Sequence, residues 1–474
     1  MPEKTGAGVR RAVKSHLRKL NKYLTAMDRR QFLKTTAAGA GALAASSAAA
    51  PLLSGEPAEE AKDLRVIQRT NARNGDKVSL LGYGCMRWPM KKGDDGRDYI
   101  DQDIVNSLVD YAWNHGVNYY DTSPAYLQGQ SEAALGEAIS RYPRDSYYLA
   151  TKLSNFSDYG EKASLKMYRD SFKALRTDYI DYYLLHSIGG GGYPVFKRRY
   201  EDNNMIAFLM KEREAGRIRN LGFSFHGPQD AFDEFMKLDE KYHWDFVQIE
   251  MNYQEWRHAK APRNTNAEYL YEELEKRGLP VVIMEPLLGG RLARMAEGAT
   301  RKLLERDPSR TIASWAFRFV GTYPGVLCAL SGMTNMEVLE ENVQTFGNFE
   351  PLTQEDIDFL MEIAILLDSY PTVPCNDCKY CMPCPYGIDI PGVFLHYNEM
   401  VNTGQIATSA ARKDFQRLRR RYLISYDRAV ESLRQADHCI HCGTCEPHCP
   451  QSIKIPAELQ RVGDYVEKLR RGTL

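Results

Sequence analysis

Between Leu64 and Asn348, eight short apolar runs alternate with amphipathic stretches of helical period, and this alternation restricts the fold more than any other feature. The expected strands are Val78–Tyr83, Val117–Tyr120, Tyr147–Thr151, Ile180–Leu185, Ile218–Phe223, Phe246–Glu250, Val281–Glu285 and Gly325–Ala329. Helical patterns between them include Ile104–Trp113, Glu132–Ile139, Ser164–Leu175, Ile206–Glu214 and Tyr269–Arg277. Strands joined through helices pair in parallel, because each crossover returns the chain to the same end of the sheet. Eight such units fit an α/β fold of the closed (β/α)8 TIM-barrel type better than an open sheet. Gly82-Tyr83-Gly84 is followed by Arg87 where a third glycine would stand, and no P-loop occurs, so a Rossmann domain is disfavoured. Arg65–Val78, with Asn74-Gly75 at its centre, reads as a hairpin ahead of the barrel.

Polar residues just past barrel strand C-termini are catalytic candidates. Asp121 and Tyr126 follow the second strand, Lys152 ends the third and His186 ends the fourth. Singly, each reads as a solvated cap or a satisfied loop residue; four on three successive strand ends form a pattern. This segment, roughly residues 64–348, resembles the aldo-keto reductase family, whose tetrad is an Asp, a Tyr five residues on, then a Lys and a His at the next two strand ends. Gly222-Phe223-Ser224, Gln248, Glu285-Pro286-Leu287-Leu288-Gly289-Gly290 and Glu341-Asn342 are also similar to family motifs. The resemblance implies hydride transfer between a nicotinamide dinucleotide and an aldehyde, ketone or alcohol. It implies that Ser224 and Gln248 meet the carboxamide, Leu288, Gly289 and Gly290 the pyrophosphate, and Glu341 and Asn342 the adenine.

The chemistry of the tetrad is intelligible from its residue types. Reducing a carbonyl leaves negative charge on oxygen, which needs a proton donor, and a free tyrosine with a pKa of about 10 is a poor one near neutrality. An adjacent ammonium lowers that pKa and a carboxylate fixes the ammonium. The expected roles are therefore Tyr126 as acid, Lys152 as its tuner, Asp121 as anchor of Lys152, and His186 as orienter of the carbonyl. Two departures stand out. Phe225 and then His226 follow Ser224 where the family has Ser-Asn, and Gly332–Val338 carries Glu337 but no cation for a 2′-phosphate. The second favours NAD(H) over NADP(H). Gly189–Gly192 reads either as a flexible loop over the site or as a plain linker.

Eight of the ten cysteines lie in two late runs, Cys375-x2-Cys378-x2-Cys381-x2-Cys384-Pro385 and Cys439-x2-Cys442-x2-Cys445-x3-Cys449-Pro450. The second has the bacterial ferredoxin spacing, in which the last cysteine serves the neighbouring cluster. The expected sets are Cys375, Cys378, Cys381 and Cys449 for one [4Fe-4S] cluster, and Cys439, Cys442, Cys445 and Cys384 for the other. Disulfides and zinc compete with this reading, although eight cysteines so close pair poorly without strain, and zinc usually takes paired Cys-x2-Cys spacing. Ile390–Met400 and Ala410–Leu433 read as helices, so residues 351–474 resemble a mostly helical ferredoxin-like domain. Arg412, Lys413, Arg417, Arg419, Arg420 and Arg421 make one helix basic, either as a solvated face or as a dock for an acidic redox partner. Cys85 and Cys328 stand apart with no assigned role.

The chain of 474 residues is formally neutral, with 62 basic and 62 acidic residues, which argues against nucleic acid as the main partner. The balance is uneven: residues 1–34 hold ten basic residues against Glu3 and Asp28, net +8, leaving 52 basic and 60 acidic, net −8, for the rest. Arg29-Arg30-Gln31-Phe32-Leu33-Lys34 precedes a weakly apolar Ala/Gly/Ser-rich stretch to Ala50, too short to span a membrane comfortably. It resembles a twin-arginine (Tat) export signal, which implies the Tat translocase as a transient partner and a periplasmic location, or the outer face of the cytoplasmic membrane. A signal starting at Met27 would also be complete. The expected organisation is an N-terminal signal over residues 1–55, the barrel over 60–350 and the cluster domain over 351–474. The whole reads as an exported iron–sulfur oxidoreductase of a small carbonyl or alcohol, its clusters relaying electrons to or from a partner protein. The competing reading is an electron-transfer or binding protein whose barrel is a scaffold that no longer binds dinucleotide.

Overall fold

The computed structural model describes residues 64–261 and 264–474, so the basic segment with Met27, Arg29 and Arg30 lies outside the described residues. The first two strands, β1 (Gln68–Thr70) and β2 (Lys77–Ser79), form the expected antiparallel hairpin. There follow β3 (Leu81–Gly84), β4 (Met90–Lys92), β5 (Asp98–Ile100), β6 (Tyr119–Asp121), β7 (Tyr148–Leu153) and β8 (Ile180–Gly189). The last four are β9 (Ile218–His226), β10 (Phe246–Glu250), β11 (Val281–Met284) and β12 (Val326–Ser331). Strand β3 and strands β6 to β12 close into a barrel in chain order, every neighbouring pair parallel.

The barrel interior follows from the two-residue period of a strand. Tyr119, Ala150, Tyr182, Leu184, Phe246, Val282 and Cys328 form one enclosed apolar cluster inside. The same phase, two residues further along, turns Asp121 on β6, Lys152 on β7 and Gln248 on β10 to the inside at the C-terminal end. Gly222 on β9 makes room for this packing, since a Cβ there would collide with the backbone oxygen and ring of Phe246. The helices wrap the outside and bury residues such as Leu108, Leu135, Leu175, Leu209, Phe235, Leu274, Phe317 and Phe346, each worth about 1.5–3 kcal/mol of apolar burial.

The structure differs from the sequence reading in three places. The expected first strand, Val78–Tyr83, is divided: Val78 and Ser79 belong to the floor hairpin and only Leu81–Gly84 enters the barrel. The apolar run is continuous because Val78 packs into the barrel interior from below, and periodicity does not record a change of partner. Strand β8 runs past Leu185 to Gly189, with an irregularity between Leu185 and Ile188 and Ser187 at φ 52°. Gly189 packs against Phe225 and His226 rather than hanging free. The β4–β5 hairpin was not expected, because β4 is exposed throughout and carries no apolar pattern.

The helix Gln354–Asp368 contributes Leu360, Ile363 and Ala364 to the barrel's core. A second core, from Val373 to Leu469, is built by the helices Ile390–Asn402, Phe415–Ala429 and Ile455–Arg471. Asp389 caps the first of these through Gly392 N. The third buries Ile455, Leu459, Val462, Val466 and Leu469 at helical spacing and ends at Gly472 in the left-handed region. No helix among the described residues is long and apolar enough to cross a membrane.

At the opposite end from the tetrad, the buried Asp181 carboxylate accepts from Leu149 N (2.9 Å), Arg144 Nη2 (2.6 Å) and Arg219 Nη1 (3.1 Å). Removing one partner of a buried ion pair costs about 3–5 kcal/mol. Asp181→Ala is therefore expected to destabilise the barrel by about that amount, read as a lower midpoint in chemical denaturation; an unchanged midpoint would show that the arginines are satisfied without it.

Candidate functional site

The four tetrad residues meet at the C-terminal end of the barrel. Lys152 Nζ donates to Asp121 Oδ1 at 2.5 Å and to Thr122 O at 2.8 Å, with both side chains buried. Gln248 Nε2 donates to the other oxygen of Asp121 at 3.3 Å. Lys152 Nζ lies 5.0 Å from the Tyr126 ring centroid, and the Tyr126 and His186 rings stand edge to face at 5.9 Å. His186 is held from several sides: Nδ1 lies 2.5 Å from Ser154 Oγ and 3.3 Å from Ser123 Oγ, and its carbonyl accepts from Arg199 Nη2 at 2.8 Å. The two serines are functional residues that the sequence reading missed.

The protonation states follow from burial. Burial pushes the Tyr126 hydroxyl well above the ordinary tyrosine range, and Asp121, Cys85 and Glu285 push it the same way. The expected lowering by Lys152 is therefore corrected, because Asp121 lies against the ammonium and offsets its field. Burial, then Lys152, Arg199 and His226, hold the His186 pKa well below that of a free imidazole, so the ring is neutral.

The eight C-terminal thiols lie in two neighbourhoods, one around Cys375 and one around Cys445. Cys375, Cys378, Cys381 and Cys449 line one small cavity whose walls include Ile390, Phe394, Ile453 and Ile455. Burial and the neighbouring thiols of that set push Cys375 up to about 11 and Cys381 to about 12. Cys445 is pushed up to about 11 by burial, and by Cys439, Cys442 and Cys384. All eight thiols are free. Among the described residues no three His, Cys, Asp or Glu side chains converge on a position for one metal ion. A zinc ion at about 2.3 Å from each sulfur would require such convergence, whereas an iron–sulfur cube spaces its thiolates around a larger body. The donor set, the cavity and its apolar walls fit [4Fe-4S] clusters.

A family model for the aldo/keto reductase family matches residues 80–365. The chain belongs to the aldo/keto reductase family. A model for a 4Fe-4S dicluster domain matches residues 374–453. An uncharacterized oxidoreductase of Bacillus subtilis (strain 168), YqkF, is 26% identical over 315 residues, 60% of this chain and 92% of that protein. L-galactose dehydrogenase of Arabidopsis thaliana is 23% identical over 322 residues, 64% of this chain and 95% of the relative. Among solved structures, the aldo-keto reductase AKR11C1 of Bacillus halodurans in its holo form has a TM-score of 0.50 at 21% identity, covering 63% of this chain and 96% of its own. An aldo/keto reductase of Klebsiella pneumoniae, solved with NADP and acetate, has a TM-score of 0.50 at 22% identity and the same coverage. The two structures share the fold. The protein is thus an aldo/keto reductase-type oxidoreductase with an iron–sulfur domain.

In this aldo/keto reductase the residues that the resemblance assigns to a dinucleotide are largely engaged within the protein. Ser224 Oγ accepts from Ser187 N at 2.7 Å, and Asn342 Nδ2 donates to Ser331 Oγ at 2.9 Å. Leu288 is buried, and Gly289 faces Asn376, between the first two cysteines: a Cβ at Gly289 would lie 2.6 Å from Asn376 O and 2.8 Å from its Cβ. Glu341 is partly exposed and Gly290 has open space beside it. Gln248 Oε1 is buried with no partner. Arg87 packs beside Gly332, so a cation stands near the eighth barrel strand although that stretch has none of its own, and its Nη2 donates to Asn376 O.

Further contacts seat the cluster domain on the barrel mouth. Asn376 Nδ2 donates to Glu285 Oε2 at 3.4 Å, and Gln451 Nε2 donates to Glu250 Oε1 at 3.0 Å. The Tyr380 hydroxyl, on the same cysteine loop, is close enough to Tyr126, Cys378, Lys152 and Glu285 for each to act on its pKa, which burial raises. The sequence reading missed Arg87, Asn376, Tyr380 and Gln451. Their one signal was polar or aromatic residues inside or beside cysteine spacers, which says nothing of what they face. Of the basic helix, Arg412 and Arg417 pair with Asp414 and Arg419 donates to Leu469 O and Arg470 O, so those three arginines have structural partners.

The crossed thiol sets have a direct test. In electron paramagnetic resonance of the reduced protein, Cys449→Ser is expected to alter the same cluster signal as Cys375→Ser, and Cys384→Ser the same signal as Cys439→Ser. If Cys449→Ser instead tracks Cys439→Ser, each run holds its own cluster.

Proposed function

We propose that the protein interconverts a small carbonyl compound and its alcohol at the tetrad, with two [4Fe-4S] clusters exchanging electrons with a redox partner protein. The observation that carries this reading is the tetrad itself, with Asp121, Lys152, Tyr126 and His186 drawn together under the cysteine loop. Cys375, Cys378, Cys381 and Cys449 would hold one cluster and Cys384, Cys439, Cys442 and Cys445 the other. When bound, such clusters exchange single electrons.

The chain's own residues supply positioning and protons. Tyr126 keeps its proton at neutral pH and gives it to the substrate oxygen as charge develops there. Lys152, fixed by Asp121 and Thr122, holds a positive charge against that oxygen's developing charge. His186, neutral and clamped through Nδ1, orients the carbonyl by a hydrogen bond. Phe156, partly exposed, packs against the His186 ring at 4.9 Å between centroids, and the partly exposed Tyr380 lies near enough to Tyr126 for their charges to act on each other. At the second thiol set Cys442 is exposed, as are Tyr386, Leu433 and Ile440, which supports this edge as the place where a partner protein meets the clusters.

A second reading draws the electrons from NAD(H) or NADP(H). The unpartnered Gln248 Oε1 favours it, since it offers an acceptor to a carboxamide N–H. The far end does not fit, because Asn376 stands against Gly289. We propose as well that the chain leaves the cytoplasm by the twin-arginine route, on the strength of Arg29-Arg30-Gln31-Phe32-Leu33-Lys34 and the weakly apolar stretch after it.

Tyr126→Phe is expected to lower carbonyl reduction by about 10²–10⁴-fold, the usual worth of a general acid, with cluster absorbance unchanged; near-normal turnover would remove Tyr126 from the role. The raised Tyr126 pKa keeps the acid protonated as pH rises, and the lowered His186 pKa keeps the imidazole neutral as pH falls. The reduction rate should therefore show no inflection from either group between about pH 6 and pH 9, and a step near a free imidazole's pKa would contradict the His186 assignment. Replacing Arg29 and Arg30 by lysine is expected to retain the protein in the cytoplasm in a fractionation assay, and normal export would refute that route.

A further inference from the structure

We propose that the loop Cys375–Cys381, with the cluster its thiols would hold, occupies in this barrel the place that the resemblance assigns to a dinucleotide, so that electrons reach the tetrad singly and the substrate is a conjugated carbonyl. The inference rests on the reading of the tetrad as a carbonyl site. Asn376 is its pivot. Its backbone oxygen accepts from Arg87 Nη2, its side chain donates to Glu285 Oε2, and its Cα, Cβ and O all lie within 3.0 Å of where a Cβ on Gly289 would stand. A glycine at φ 65° with no Cβ is what lets one backbone approach another this closely. Here the approaching group is the protein's own cysteine loop rather than a pyrophosphate. Gln451, two residues after Cys449, fastens the other ligand arm to Glu250 at the end of β10. The first thiol set is thereby held at the barrel mouth, on the same loop as Tyr380.

The change of electron source narrows the substrate. A carbonyl becomes an alcohol by taking up two electrons and two protons, its C=O π bond giving way to one O–H and one C–H bond; a quinone takes up the same electrons and protons, its two C=O groups becoming two C–OH groups as the ring turns aromatic. Two clusters hold one transferable electron each, together the two required, and are refilled by a low-potential one-electron carrier protein. After the first electron the substrate is a radical anion, which takes the Tyr126 proton on oxygen; the second electron and a proton from solvent complete the product, and Tyr126 regains its proton from water. An isolated aliphatic carbonyl holds an unpaired electron poorly, whereas a quinone or an aryl or unsaturated ketone spreads it over a ring. The partly exposed ring of Phe156 beside His186 suits such a flat substrate.

The test uses the full chain, reconstituted with iron and sulfide under anaerobic conditions. Titration with NADH and with NADPH, followed by nucleotide fluorescence, is expected to show no saturable binding; one-to-one binding of either would overturn the proposal. Dithionite-reduced protein mixed with a substituted benzoquinone is expected to lose both cluster resonance signals, more slowly in Tyr126→Phe, while an aliphatic aldehyde leaves them in place. Equal rates in Tyr126→Phe would mean outer-sphere oxidation and would overturn the substrate assignment, as would clusters oxidised by the aldehyde alone. Gly289→Ala is expected to shift the resonance of the first cluster only, and Asn376→Ala, which leaves the barrel backbone untouched, to shift it in the same sense; no shift in either would dissolve the contact. Failure of the tetrad reading is separable: Tyr126→Phe would then be indifferent with every carbonyl, with or without dinucleotide.

Discussion

The ammonium of Lys152 is 1% exposed inside a barrel whose lower layers are apolar, and its burial dictates what surrounds it. Taking a charge out of water costs several kcal/mol even after relaxation. The cost is offset here by Asp121 at 2.5 Å and by the Thr122 carbonyl, with Gln248 holding the second carboxylate oxygen. Those partners come from β6, β7 and β10, so the pair stands only when the barrel is closed. Tyr126 and His186 then stand around a paired charge: burial is the largest influence on the protonation of both, and Lys152 adds to it at His186.

Much of this was legible beforehand because barrel chemistry sits at strand ends. Asp121, Lys152 and Gln248 share a phase with apolar neighbours two residues upstream, so a reader of periodicity meets a polar residue where another Leu or Val would be expected. The eight barrel strands were readable for the same reason. Their limits were less so: the Val78–Tyr83 run conceals a change of partner, and the extension of β8 to Gly189 depends on an irregularity at Ser187 that no propensity marks. The serines that clamp His186 were illegible because a serine takes its meaning from its neighbour in space. The 4Fe-4S domain was legible from the cysteine spacing and the Cys-Pro pairs alone.

What spacing does not carry is the direction in which a loop faces. Asn376 and Tyr380 are spacer residues in a cysteine run, and as sequence they are interchangeable with many others. They acquire significance because Gly289 and Glu285 rise to meet them from the end of β11. The placing of Cys449 beside the first run and of Cys384 beside Cys445 adds a constraint of its own: under the proposed assignment, neither set would be complete until both ends of the domain had come together.

The helix Gln354–Asp368 bears on how far that domain can travel. Its buried face belongs to the barrel core, and Asp368 at its end accepts from Gln254 Nε2 and pairs with Lys260 of the barrel. Seven residues lead from Asp368 to Cys375, a leash of at most about 25 Å when fully extended. A tether that short confines the first thiol set to the neighbourhood of the barrel mouth at a high effective concentration, even if the Asn376 and Gln451 contacts were to let go. Under the proposed relay the arrangement would be that of a captive redox group rather than a diffusing carrier: exchange between this set and the tetrad would be independent of protein concentration, and only traffic at the exposed second set would vary with the abundance of a partner.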